Sequence, residues 1–281
     1  MSRAPYPSDL TDAEWAVLEP LVPPAKPGGR PRRWPMRDVL DAVFYVVRGG
    51  IAWRALPHEY PPWKTVYHYH RIWRLLGVWE AIHTTLRARV RTRLGREPTP
   101  SAAIIDSQSV RTTEAGGPRG YDGGKKVNGR KRHLLVDTLG LVLGVKVHEA
   151  DLQDRAGAMP LLEPLEGKFP KLGLVWADAG YTGKLREWLG SRLGWRLQVV
   201  KHPWSGWQGT WAPKGAPPRV VEVPEGFVVL KRRWVASIPF AWLGKSRRTA
   251  KDYEALPETS EALVYQVMIR LMLKRLAGNA S

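Results

Sequence analysis

Two aspartates stand where an oxygen-ligated cation could be held. Asp106 closes the apolar run AAIID and Asp178 closes LGLVWAD, so each of two buried strands is expected to end in an acid. Open α/β sheets gather their sites at the carboxyl ends of strands, and neighbouring strands lie only about 4.8 Å apart. Carboxylates held that close repel unless a cation neutralises them. The chain has no cysteine, so the cation would rest on hard oxygen ligands, which suit Mg2+ or Mn2+ better than zinc. The same absence excludes a disulfide framework and a thiolate nucleophile. Taken singly, either aspartate reads more readily as a turn or cap residue.

Cations gather beside the first acid. Residues 119–133, RGYDGGKKVNGRKRH, combine four glycines with Lys125, Lys126, Arg130, Lys131 and Arg132. The backbone of such a loop can approach phosphates closely, and its cations would release counterions on binding; a solvated, flexible hairpin is the plainer alternative. The whole chain leans the same way. Its 44 Lys and Arg against 26 Asp and Glu give a formal charge of +18 on 281 residues, and nucleic acid is the polyanion that answers such an excess.

The elements that would position these residues follow from periodicity. Thr11 with Glu14 has the pattern of a reciprocal helix cap and opens a first helix, which a proline cluster stops. Val39, Leu40, Val43, Phe44 and Val47 recur at helical spacing until Gly49 and Gly50. A third helix over 63–76 places Val66, Tyr69, Trp73 and Leu76 on one stripe and Lys64, His68, Arg71 and Arg74 on another face. That arrangement is compatible with a helix-turn-helix unit reading a major groove, or with an amphipathic helix whose basic face is simply solvated. Helical periodicity stops near 96–101, so a small all-α domain over 1–98 is expected, followed by an α/β domain over 99–281.

In the second part strands are expected at 102–106, 133–138, 141–147, 172–177, 195–200 and 227–230. Helices are expected at 154–162, 184–189, 237–253 and 260–276. Most of the 14 tryptophans, Trp73 and Trp176 among them, read as core. The N-terminal MSRAPYPSDL lacks the apolar segment of a signal peptide and no apolar run approaches a membrane span, which leads to the expectation of a soluble, cytoplasmic protein with no membrane partner.

In their order along the chain, LTDAEWAVLEPLVP, GGIAWRALP, WKTVYHYHRIW, IIDSQSV, GGKKVNGRKRHLLVDTLGLVL, ADLQDRAGA, ADAGYTG, RRWV, FAWLGKSRR and KDYE resemble the motifs of bacterial insertion-sequence DDE transposases of the IS-five type, within the IS-four-like superfamily. The resemblance covers nearly the whole chain. It implies a ribonuclease H-like mixed sheet with flanking helices, and an acid triad whose two aspartates fall on Asp106 and Asp178. It also implies the chemistry: with Mg2+ or Mn2+ bound, water would cut a phosphodiester at the element's end, and the freed 3′-hydroxyl would attack target DNA in line. The partners would be double-stranded DNA, both element ends and target, and a second copy of the chain, since two ends must be joined.

The third acid of that family lies between RRWV and FAWL, where this chain has Ser237. Serine carries no charge and is a poor ligand for magnesium, so catalysis is expected to fall by orders of magnitude. Glu254 would lie about 25 Å away along a continuous helix, too far to substitute. Glu149, Asp151 and Asp154 follow a strand and stay open as replacements. The alternative function is therefore a catalytically inactive, transposase-derived DNA-binding protein; a ribonuclease H-like repair nuclease would need the same acids but no sequence-reading N-terminal part.

Overall fold

The computed structural model describes residues 3–25, 27–28, 31–200 and 234–278. Helix α1 (Asp12–Leu18) begins at the expected cap: the Thr11 hydroxyl accepts from Glu14 N–H, and the Glu14 carboxylate accepts from Thr11 N–H. Helix α2 (Met36–Gly49) ends at Gly50, whose φ of 71° and close approach to Arg247, 2.8 Å from where a Cβ would sit, leave no room for a side chain. Helices α3 (Trp63–Leu75) and α4 (Val78–Arg93) meet at left-handed Gly77. Leu76, expected on the apolar stripe of α3, instead caps that helix and is 61% exposed.

Strands β1 (Ala102–Arg111), β2 (Gly120–Asp122), β3 (Val127–Asp137) and β4 (Val142–Glu149) pair antiparallel around β3. After helix α5 (Asp154–Leu162) come β5 (Leu174–Ala177), helix α6 (Lys184–Trp188) and β6 (Arg196–Val199), with β1, β5 and β6 mutually parallel. The order is β2-β3-β1-β5-β6, with β4 on β3. This is the mixed, ribonuclease H-like sheet with flanking helices. The strand expected at 227–230 lies outside the described residues.

Alternation along β1 divides the interior in two. Ile104 joins Trp176, α9 (Pro257–Leu276) and the N-terminal helices, while Ala103 and Ile105 join Leu161 and Leu162 of α5 and Leu185 of α6. The first helices therefore share a core with the last one. His70 of α3 is fully buried against it, with Gln266 Nε2 2.8 Å from its Nδ1. The single helix expected over 237–253 is two: α7 (Trp234–Gly244) and the short α8 (Arg247–Ala250), because the chain turns at Gly244 to Ser246. Among the described residues no helix is long and apolar enough to cross a membrane.

Candidate active site

The register of the parallel strands brings the two aspartates together. Ala103 lies opposite Val175 and Ile104 opposite Trp176, the last pair of that register, and Asp106 and Asp178 each stand two residues beyond it. Both are half-buried, and both line one small cleft with Ile104, Ile105, Trp176, Ala177 and Val200. Asp106 does not end its strand, as the sequence suggested. Pairing with β3 carries β1 on to Arg111, and what ends near Asp106 is the parallel pairing with β5. Backbone amides hold both carboxylates: Ser107 N–H donates to Asp106 Oδ1 and Gly180 N–H to Asp178 Oδ1, each at 2.8 Å.

A third carboxylate comes in from the other side. Asp154, the first residue of α5, is 24% exposed at its side chain and sends Oδ1 into a polar pocket under that helix. There it accepts from the Ser107 hydroxyl (2.9 Å) and Lys131 Nζ (3.0 Å), with His133 Nε2 at 3.4 Å. Burial acts to raise the Asp154 pKa, but the polar groups around Oδ1, led by His133 and Lys131, outweigh it and hold the carboxyl well below the usual range. A Cβ at Gly180 would stand 3.0 Å from Asp178 Oδ1 and 3.2 Å from Asp154 Oδ2, so a residue without a side chain separates the two acids. Beside them the Tyr181 hydroxyl is fully buried within reach of the Ser107 side chain; burial pushes its pKa up, as do the charges of Asp154, Asp106 and Asp178, against a lowering by Ser107.

The carboxylate oxygens of Asp106 and Asp178 suit a hard divalent cation in kind. Among the described residues, no three His, Asp or Glu side chains stand close enough together to hold an ion.

Ser237 is exposed on α7 and is not among the described residues lining the cleft. Glu254 is buried and committed elsewhere, its Oε1 2.7 Å from Arg248 Nε. The helix break at Gly244, rather than distance along one continuous helix, separates it from Ser237.

The basic run divides sharply. Lys125 and Lys126 sit exposed on the β2–β3 turn, and Lys125 Nζ reaches the Ser107 carbonyl at 3.3 Å. Arg130, Lys131 and Arg132 belong to β3 rather than to a loop, and all three are buried. Arg130 donates to the carbonyls of Pro118, Glu254 and Ala255, and Arg132 to those of Thr249 and Lys251. Their charge is consumed in fastening the C-terminal segment to the sheet, which takes them out of the phosphate-facing set. On α3, Lys64, His68 and Arg71 are exposed and Arg74 half-exposed, opposite buried Val66, His70 and Trp73.

An antiparallel unit running on into parallel strands, with helices flanking the sheet, is consistent with a ribonuclease H-like DDE domain. Residues 97–272 match the family model described as "Transposase DDE domain", and residues 10–83 match the family of IS4/5 transposases. The chain belongs to the DDE transposases of the IS4/5 type. It is 34% identical over 113 residues to an uncharacterized 16.2 kDa protein of insertion element IS402 from Burkholderia cepacia, covering 38% of this chain and 76% of that protein. It is 30% identical over 117 residues to the uncharacterized protein y4sN of Sinorhizobium fredii, covering 41% of this chain and 87% of that one. No solved structure matches.

Proposed function

We propose that this chain is a DNA transposase that binds the ends of an insertion sequence and carries out metal-dependent strand cleavage and strand transfer. The observation that carries this reading is that Asp106 and Asp178 line one cleft at the end of the parallel pairing of β1 with β5, in a chain of the DDE family. These two residues would hold Mg2+ or Mn2+, which supplies activation of the attacking hydroxyl and stabilisation of the leaving oxygen. Lys125, exposed with its Nζ at the Ser107 carbonyl, and its exposed neighbour Lys126 would hold the phosphate backbone near the acids. Residues 1–98, through Lys64, His68, Arg71 and Arg74, would bind duplex DNA, and residues 99–281 would carry the chemistry, two copies acting on paired ends.

Ser237 supports a second reading, a DNA-binding protein that occupies element ends without cutting them, because the family's third acid is replaced by a hydroxyl. Incubation of a labelled duplex carrying the element's terminal repeat with Mg2+ or Mn2+ separates the two. Cleavage by the natural chain and none by Asp106→Asn supports the transposase. Cleavage only by Ser237→Glu supports the disabled binder. Retained cleavage by Asp106→Asn would overturn both.

A further inference from the structure

We infer that a basic cleft between α2, α7 and α9 holds the phosphate backbone of duplex DNA, apart from the contacts assigned to α3 and to the β2–β3 turn. The inference rests on the transposase reading above. The cleft has a volume of about 430 Å3 and draws on both halves of the chain: Arg48 from α2, Lys245 from the turn after α7, and Arg270, Lys274 and Arg275 from α9. Among the described residues its lining holds no carboxylate. Arg270 is neutralised by Glu14, 2.5 Å away. The other four cations have no ion-pair partner among the described residues, so four uncompensated positive charges meet around one space.

Two of these cations are already held in place. Arg48 Nη1 donates to the Lys245 carbonyl, which orders the side chain without cancelling its charge. The Arg275 guanidinium lies over the Trp242 ring, 4.7 Å from its centroid. Groups fixed before binding lose less entropy when a phosphate arrives. Lys245 and Lys274 are exposed, while buried Phe44, Val47 and Val267 form apolar walls that focus the field of the cations. Like charges gathered from three elements repel one another, and an anion relieves that repulsion. A second copy of a chain with a net charge of +18 is a poor source of that anion, whereas a DDE transposase works on a polyanion. Helix α7 also packs against β1, so the cleft is built on a neighbour of the strand that carries Asp106.

The test is fluorescence anisotropy of the full chain with a labelled element-end duplex, and with a scrambled duplex of equal length, across a salt series. Lys245→Ala and Lys274→Ala are each expected to lower the slope of log affinity against log salt by about 1, equally on both duplexes and with the melting temperature unchanged. Lys245→Glu combined with Lys274→Glu is expected to weaken both complexes about tenfold or more. Unchanged slope and affinity in all three variants, with duplex binding by the natural chain intact, would overturn the cleft and leave the transposase reading standing. A loss confined to the element end would place these residues on bases and overturn the phosphate assignment. No affinity of the natural chain for either duplex would overturn both readings. Because the chain has no cysteine, Lys274→Cys carrying an iron–EDTA group gives a second measurement that does not depend on the charge reversal folding. Cuts in the bound duplex support the cleft; an uncut, bound duplex overturns it.

Discussion

His133 Nδ1 and His148 Nε2 meet at 2.8 Å beneath helix α5, and the proton between them can be placed. His148 Nδ1 lies 2.7 Å from the Glu149 carbonyl, which can only accept, so Nδ1 carries a hydrogen. Burial lowers the pKa of His148 and favours its neutral form, whose Nε2 accepts from His133 Nδ1; His133 donates to Asp154 through Nε2 as well only when its ring is protonated. The pair lies under Gly157: a Cβ there would stand 2.3 Å from His148 Nε2 and 2.5 Å from His133 Cε1. This glycine lets α5 close on the polar pocket that anchors Asp154.

Gly157→Ala is therefore expected to lose about 1–3 kcal/mol by overpacking. Gly190→Ala, at a position open to solvent, is expected to change stability by less than about 0.5 kcal/mol. Urea denaturation of both variants checks the contrast, and equal midpoints would show that α5 does not depend on the close approach.

Arg130 and the turn lysines should behave oppositely. Arg130→Met strips a buried guanidinium from Asp252 and three carbonyls and should cost about 3–5 kcal/mol. Lys125→Ala and Lys126→Ala should leave thermal stability nearly unchanged while each reduces the slope of log affinity against log salt by about 1. A stable Arg130→Met with a reduced salt slope would return that arginine to the DNA-facing set.

Residue pattern makes much of this architecture legible. The Thr11–Glu14 cap and the stop at Gly50 are local signals, and each corresponds to an observed helix boundary. The burial of Arg130 and Arg132 is not local: their acceptors are carbonyls at Thr249, Lys251, Glu254 and Ala255, so a run that reads as solvated becomes core through contacts more than a hundred residues away. The full length of β1 was hidden for the same reason, since β3 extends it with polar residues such as Arg132 opposite Gln108. Asp154 follows a strand in the sequence, but only the sheet brings Ser107, Lys131 and Gly180 around it.

Two other histidines set an acid limit on stability. His83 is fully buried, and burial first, then the Arg87 charge, pushes its pKa well below the ordinary value; burial likewise brings His70 down to about 3. An unfolded histidine takes up its proton near pH 6.5, so each folded one that stays neutral contributes stability above that pH and loses it as pH falls. Between pH 7.5 and 5.5 the loss is roughly 1.4 kcal/mol per histidine. Asp41 acts in the opposite sense: burial raises its carboxyl to about 6, which favours the fold as pH drops through that value. His83→Phe removes two unpaired ring nitrogens and should flatten the pH dependence by roughly 1.4 kcal/mol over that window without loss of stability at pH 7.5. An unchanged slope in urea unfolding across this range would show that His83 titrates normally in the fold.

The basic face of α3 yields the remaining prediction. Helix α3 is fixed by its inner face, with Val66 and Trp73 in the core, His70 against Gln266, and Trp79 Nε1 donating to the His70 carbonyl at 3.1 Å. Lys64, His68 and Arg71 project from the other side, so their loss should not disturb the packing. Arg71→Ala is expected to keep the melting temperature and lower the salt slope of binding by about 1. Comparison of an element-end duplex with a scrambled duplex of equal length then tells what Arg71 contacts. An equal loss on both places it on phosphate; a loss of about 1–3 kcal/mol confined to the element end places it on a base edge. Unchanged affinity for both duplexes would remove α3 from the DNA-binding surface.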